Sequence, residues 1–202
     1  MRRLTSVRNS PGALGFAVAG GQSERMGRDK ALLPWRGTTL LDHALRRLRD
    51  ACGDARILCG PEDRYREHGE TLVDAVAGVG PLGGVCAALG RLPAGGHGLF
   101  LAVDLPHVPS ALLSRLASLA VGFDAVVPMT GKGPEPLCAV YGQGCLGPIL
   151  RRLDEGERKM TCFWPDVHVR VVGEAELAEF GEPARLFRNI NTLEDFAAAD
   201  EA

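Results

Sequence analysis

The stretch LGFAVAGGQSERMGRDKALLPW, residues 14–35, opens on one short apolar run and closes on another. Between them lie Gly20 and Gly21, then Arg25, Gly27, Arg28, Asp29 and Lys30. An apolar run ended by glycines reads as a buried strand followed by a turn. Paired glycines let the backbone turn sharply and approach a ligand with no Cβ in the way. Successive amide N–H groups in such a turn cradle oxyanions. Arg25 and Lys30 add full positive charge at the same place, Lys30 as a point charge. The turn therefore points to an anion at the end of a strand. Two common phosphate motifs do not describe it. Glycines at 20, 21 and 27 do not make G-x-G-x-x-G, and no Gly-Lys-Ser/Thr completes G-x-x-x-x-G-K-[ST]. The same spacing disfavours a nicotinamide dehydrogenase.

Outward from this stretch, apolar runs alternate with helical patterns. Runs at 14–19, 55–59, 99–103, 124–128, 136–141 and 167–172 predict strands. Over 40–48, Leu40, Leu41, Ala44, Leu45 and Leu48 share one helical face, and Arg46, Arg47 and Arg49 fall toward water. Leu112, Leu113, Leu116 and Leu119 do the same after Pro109 and Ser110, a helix start. Leu82, Val85, Cys86 and Leu89 make a third inward face. This alternation predicts an α/β fold with a mainly parallel central sheet. The run 99–103 is apolar throughout, as in strands covered on both faces. Ligands of such sheets bind at the carboxyl ends of the strands. Residues 1–13 read as a disordered lead-in and 14–200 as one domain, with a short helix starting at Thr192.

Composition narrows the class. The chain has 202 residues, enough for one sizeable core, and a formal net charge of -2. Aromatics are 5% and no basic stripe is interleaved with them, which argues against a nucleic-acid binder. The six cysteines, at 52, 59, 86, 138, 145 and 162, include no C-x-x-C pair and read as reduced core thiols. The N-terminus lacks the apolar core of a secretory signal, and no run is long enough to span a membrane. The expectation is a cytoplasmic protein with no membrane partner. The histidines, at 43, 68, 97, 107 and 168, show no metal-ligand spacing, and His107 reads as an ordinary surface residue.

The string AGGQSERMGRDKALL (19–33) resembles the signature of small nucleotidyltransferases, approximately L-A-G-G-x-S-x-R-M-G-x-D-K. These enzymes take an NMP unit from an NTP and release pyrophosphate. Val18 stands where leucine is usual. The resemblance implies a three-layer Rossmann-like (GT-A-like) α/β fold.

Later segments carry the resemblance further. Asp104 follows the apolar strand 99–103 directly. A nucleotide-bound magnesium ion takes one or two carboxylates plus phosphate oxygens, and Asp104 is placed to supply the first. Asp74 precedes a glycine-rich run, Gly78, Gly80, Gly83 and Gly84, that leads into a helix. A carboxylate or carbonyl here would accept from guanine N1–H and N2–H₂, a pairing that adenine does not offer. Glu135 lies in EPLCAVY, Arg158 and Lys159 in EGERKM, and Asn189 and Asn191 at alternate positions of NINT. From about residue 14 to 196 this order is similar to the molybdenum cofactor guanylyltransferases, the molybdopterin-guanine dinucleotide biosynthesis protein A family.

The resemblance implies transfer of GMP from GTP to the terminal phosphate of molybdopterin. It places Val18, Ala19, Gly20, Gly21, Lys30, Asp74 and Asp104 at GTP, with Lys30, Arg25 and Asp104 as catalytic residues. It places magnesium on Asp104, with manganese as the alternative ion. Glu135, Arg158, Asn189 and Asn191 fall near the pterin, and transient contact with other cofactor-biosynthesis proteins is implied. The attacking phosphate is already ionised near neutral pH, so no general-base triad is required. One departure is Cys59 or Gly60, where the family often has asparagine. A CTP-dependent molybdopterin cytidylyltransferase, another nucleotidyltransferase on a phosphorylated acceptor, and a non-catalytic GTP-binding protein are the competing readings.

Overall fold

A computed structural model of the chain describes residues 12–20 and 29–190. An eight-stranded sheet forms its centre. Strand β1 (Leu14–Val18) is the hub, parallel to β4 (Ala55–Leu58) on one side and to β6 (His97–Ala102) on the other. A short β5 (Thr71–Leu72) extends the β4 edge. Beyond β6 come β9 (Cys138–Gly142), β7 (Ala125–Thr130) and β10 (Val169–Val172), and β8 (Gly133–Pro134) folds back on β7. β9 runs antiparallel to both neighbours. Its reversal follows from chain length. A parallel return from β7 needs a crossover of a dozen or more residues, and only the β8 turn separates β7 from β9. Apart from β9 and the short β8, which also pairs antiparallel with β7, the sheet is parallel, as expected of a mainly parallel sheet.

Helices cover both faces and make the three layers. Helix α1 (Leu40–Cys52) and helix α3 (Ser110–Ser118) pack on one face, and helix α2 (Pro81–Leu89) and helix α4 (Leu146–Asp154) on the other. Period-two alternation divides each central strand between the two cores. Ala17, Leu99 and Leu101 face α1 and α3, whereas Phe16, Val18 and Phe100 face α2 and α4. Phe16, Phe100, Tyr141 and Phe163 form a chain of ring contacts 5.2–5.6 Å apart through the second core.

Helix α1 shows why the local sequence folds as it does. Thr39 Oγ1 accepts from the Asp42 N–H at 3.0 Å and caps the start. Gly53, at φ 85, ends the helix and donates to the Arg49 carbonyl. Leu41, Ala44, Leu45 and Leu48 are buried between the caps. Arg47 departs from the expectation and is half-buried. Its Nε turns back onto His43 at 2.7 Å, near an antiparallel ribbon that sequence periodicity missed, β2 (Pro34–Trp35) with β3 (Thr38–Thr39). Its turn residues Arg36 and Gly37 have φ 46 and 80, the positive values of a type I′ hairpin turn. Two further short helices, α5 (Glu174–Leu177) and α6 (Pro183–Leu186), close the C-terminal part. The lead-in up to residue 11 and the helix expected from Thr192 lie outside the described residues.

All six cysteines are free, and Cys59, Cys86, Cys138 and Cys145 are buried. Burial pushes the Cys86 thiol up to about 11 and Cys145 to about 12, so neither is a ready thiolate near neutral pH. Among the described residues no helix is long and apolar enough to cross a membrane.

Candidate active site

The carboxyl ends of β1, β4 and β6 finish level, with Val18 paired to Leu58 and to Ala102. Just past them the chain segments knit together. The Val103 N–H donates to the Val18 carbonyl at 3.2 Å, and the Asp74 N–H to the Gly60 carbonyl at 2.9 Å. Gly20 lies against Gly60 so closely that a Cβ would come within 2.7 Å of the Gly60 N and Cα. One expectation is corrected here. The Gly20 amide is not available to a phosphate oxygen, because it donates to the Leu58 carbonyl at 2.9 Å, as does the Ala19 amide. Gly20 is glycine for the close approach to Gly60. Gly21 lies outside the described residues.

The departure at 59–60 also resolves. Cys59 is fully buried, with its thiol donating to the Leu72 carbonyl at 3.2 Å. Gly60 has φ 82, in the left-handed region that glycine, and next asparagine, adopts most readily. The backbone conformation that suits asparagine is thus kept while its side chain is absent.

Lys30 and Asp104, 74 residues apart in sequence, meet at 2.8 Å (Nζ to Oδ2). Their side chains are 16% and 25% exposed, so the pair is neither free in water nor sealed in the core. Asp29 organises the lysine. Its Oδ1 accepts from the Ala31 N–H at 3.0 Å, capping the 3₁₀ turn Lys30–Leu32. Its Oδ2 accepts from the Tyr65 hydroxyl at 2.7 Å. Tyr65 holds φ 69, a strained value for a bulky residue. Nothing in the polar segment around Tyr65 signals this role in sequence. We expect Tyr65→Phe to raise the KM for nucleoside triphosphate several-fold with little change in melting temperature. The ring packing survives while the hold on Asp29 is lost, and steady-state kinetics beside a thermal melt would separate the two. An unchanged KM would deny Tyr65 a positioning role.

Asp74 lies along the first turn of α2. A Cβ on Gly83 would come within 3.0 Å of the Asp74 carboxyl, and one on Gly84 within 3.3 Å. Burial raises the Asp74 pKa from its ordinary value. Glu135 sits between β8 and β9, its N–H donating to the Pro128 carbonyl at 3.0 Å. Its pKa is raised by burial first and then by the negative charge of Asp104, with Lys132 opposing. A carboxyl whose pKa rises on folding costs stability once ionised, and the cost vanishes as pH falls through the folded-state pKa toward the unfolded one. Glu135→Gln should therefore melt higher than the parent at pH 8 and lose that advantage by pH 4. A higher melting temperature at pH 4 only would reverse this reading.

The second-half residues divide. Asn189 is exposed, and the next residue's N–H, that of Ile190, donates to the Asp104 carbonyl at 3.0 Å. This ties Asn189 to the Asp104 segment. Arg158 instead donates through Nη1 to the Leu153 and Glu157 carbonyls, each at 2.8 Å, and finishes α4. Arg25 and Asn191 lie outside the described residues. His107 is corrected from a surface residue to a half-buried one whose ring meets Trp35 edge-on at 5.6 Å. Among the described residues no three or more His, Cys, Asp or Glu side chains form a metal cage.

A lysine and acidic side chains at the carboxyl ends of a mainly parallel sheet suit the binding of a nucleoside triphosphate. The MobA-like NTP transferase domain matches residues 15–167, and the chain belongs to that family of nucleotidyltransferases. Within it, the chain is 34% identical to the probable molybdenum cofactor guanylyltransferase of Pelotomaculum thermopropionicum, over 93% of this chain and 91% of the relative. It is 31% identical to the molybdenum cofactor guanylyltransferase of Desulfosudis oleivorans, over 93% and 94%. Among solved structures, molybdopterin-guanine dinucleotide biosynthesis protein A of Archaeoglobus fulgidus superposes with a TM-score of 0.78 at 26% identity, covering 93% and 97% of the two chains. A Thermus thermophilus cytidylyltransferase shares the fold alone, at 16% identity and TM-score 0.65 over 92% and 96%.

Proposed function

We propose that this protein transfers GMP from GTP to the terminal phosphate of molybdopterin, forming the guanine dinucleotide and pyrophosphate. The observation that carries this reading is the Lys30–Asp104 pair at the strand ends, in a chain whose similarity to guanylyltransferases spans both halves. In the reaction an oxygen of the acceptor phosphate bonds to the α-phosphorus of GTP. The bond from that phosphorus to the oxygen bridging to the β-phosphate breaks, and pyrophosphate leaves with the electron pair. The work of the protein is alignment and charge neutralisation.

Lys30 leaves Asp104 to meet the triphosphate, and Arg25 acts beside it. The close-packed Gly20 and Gly60 backbones give the nucleotide a surface free of side chains, next to Val18 and Ala19. Asp74 accepts from the guanine edge, held in place by Gly83 and Gly84. Burial first, and then the charge of Asp104, raises the Glu135 pKa, and a divalent cation held by Asp104 would offset the negative charge gathered there. The residues thus fit magnesium, or manganese, on Asp104 with Glu135 near. Such an ion supplies charge neutralisation on the phosphates and leaving group. Asn189 borders the acceptor side of Asp104, and Asn191 is given to the pterin by the resemblance alone. Arg158 joins the pterin only by leaving the end of α4. Molybdopterin delivery by other cofactor-biosynthesis proteins completes the reading.

The test is pyrophosphate release with each of the four NTPs, with and without molybdopterin, in magnesium or manganese. Release with GTP that requires molybdopterin is expected. Preference for CTP would assign the cytidylyltransferase reaction. GTP binding without release under any condition would leave a binding protein.

A further inference from the structure

We propose a second, oxyanion-binding site for a phosphate-bearing ligand, formed on the α1 side of the Asp104–His107 loop by arginines around Trp35. Trp35 is the hub of the cluster. Its ring meets His43 at 6.2 Å and His107 at 5.6 Å, and the Arg36 guanidinium lies over it at 5.5 Å. Trp35 also shares a small core with Ile190, which brings the exposed Arg188 to the same rim. Arg46 Nη2 is 3.0 Å from His43 Nδ1, and Arg47 Nε donates to His43 Nε2 at 2.7 Å. That same Nε2 lies 3.1 Å from the Pro106 carbonyl.

A neutral imidazole offers one donor and one acceptor. His43 therefore cannot serve both guanidiniums and the Pro106 carbonyl together. Among the described residues, Arg36, Arg46, Arg47 and Arg188 form no ion pair with a carboxylate. Among the described residues several guanidiniums are thus drawn around two imidazoles, with Asp50 the one carboxylate acting on Arg47. Burial first, then Arg47, Arg46 and Arg36, hold His43 down at about 4, so the ring is neutral and the positive charge is the arginines' own.

His107 supplies the second observation. Its Nε2 is buried and has no hydrogen-bond partner. The charges acting on this ring include those of Arg185, Arg36, Arg188 and Arg47. With its proton on Nε2, the ring leaves a buried donor without an acceptor, a costly arrangement. A compact oxyanion would accept from His107 Nε2–H and from the planar guanidinium forks at once. Because Nε2 is closed to solvent, the bond requires the half-buried ring to turn toward the arginines, which favours a phosphate group on a small molecule. None of these side chains is bonded to Lys30, and the site needs neither a metal nor the reading of GTP given above.

The experiment is a thermal melt with inorganic phosphate, in EDTA and at constant ionic strength with chloride. Phosphate should raise the melting temperature saturably. Arg47→Gln with Arg188→Gln should weaken the apparent affinity at least ten-fold, and Lys30→Ala should leave it within two-fold. Without phosphate the double variant should melt as high as the parent or higher, because like charges have been removed, so a folding defect would be visible. Replacing the same two arginines by lysine keeps the charge and loses the forks, and should recover only part of the affinity. No phosphate effect beyond chloride, or an unchanged effect in the Gln double variant, would overturn the proposal. The source of the phosphate is read in the pyrophosphate-release assay. A raised KM for the phosphorylated acceptor alone marks an acceptor phosphate, and unchanged constants mark free phosphate.

Discussion

Asp104→Asn is expected to lower pyrophosphate release by about a hundred- to a thousand-fold, the usual cost of losing one electrostatic element of a phosphoryl site. The amide keeps the shape of the carboxylate and can still bond to Lys30. What it loses is the charge that would hold a divalent cation, and with it the charge opposite Lys30. Stability should change little. The pair is part-exposed, and such pairs contribute at most about 1 kcal/mol. Lys30→Met should behave differently, raising the KM for GTP more than it lowers kcat at saturation, because the lysine is proposed to bind the triphosphate. The Asp104 defect should persist at saturating GTP and should not yield to excess magnesium. Turnover within ten-fold of the parent for Asp104→Asn would remove this carboxylate from the mechanism, whatever its place beside Lys30.

Lys30 and Asp104 were legible because each follows a pattern that survives tertiary folding. Asp104 ends a fully apolar run, and Lys30 ends a glycine-rich turn, so a parallel sheet brings both to the same edge. The reversal of β9 was open to sequence only through chain length, since an apolar run carries no direction. The Gly20 amide was misjudged for a related reason. Which amides remain free depends on the register of β4, and Leu58 takes that amide once Val18 pairs with it. Tyr65 was hidden because a strained residue in a polar loop has no period and no motif around it. Arg47 was read from helix periodicity as solvated, whereas its Nε turns back onto His43 near the ribbon 34–39. Two residues of ribbon strand on each side of a turn are too few for alternation to register.

Gly83→Ala should cost about 2–3 kcal/mol, or roughly 5–10 °C in melting temperature for a chain of this size. In an ordinary helix the same change would stabilise, by about 0.5–1 kcal/mol. Here the added Cβ would lie 2.4 Å from the Val76 carbonyl oxygen and 3.0 Å from the Asp74 carboxyl carbon. The first neighbour is backbone and cannot rotate away, so the 75–77 segment or α2 must move. The Ala75 N–H donates to the Gly83 carbonyl at 3.0 Å, which couples that movement to the loop carrying Asp74. Displacement of Asp74 should raise the KM for GTP at least ten-fold and narrow any preference for GTP over CTP. Gly84→Ala supplies the graded comparison. Its Cβ would meet Asp74 Oδ1, Leu58 Cβ and Leu58 Cδ1 at 3.3 Å, tight contacts that small shifts can absorb. The order of damage, Gly83 well above Gly84 in both stability and KM, follows from those two sets of distances. Equal effects of the two substitutions would mean that helix propensity and burial, and no specific clash, govern the start of α2. A destabilised Gly83→Ala with an unchanged KM for GTP would detach Asp74 from the nucleotide while leaving its packing as described.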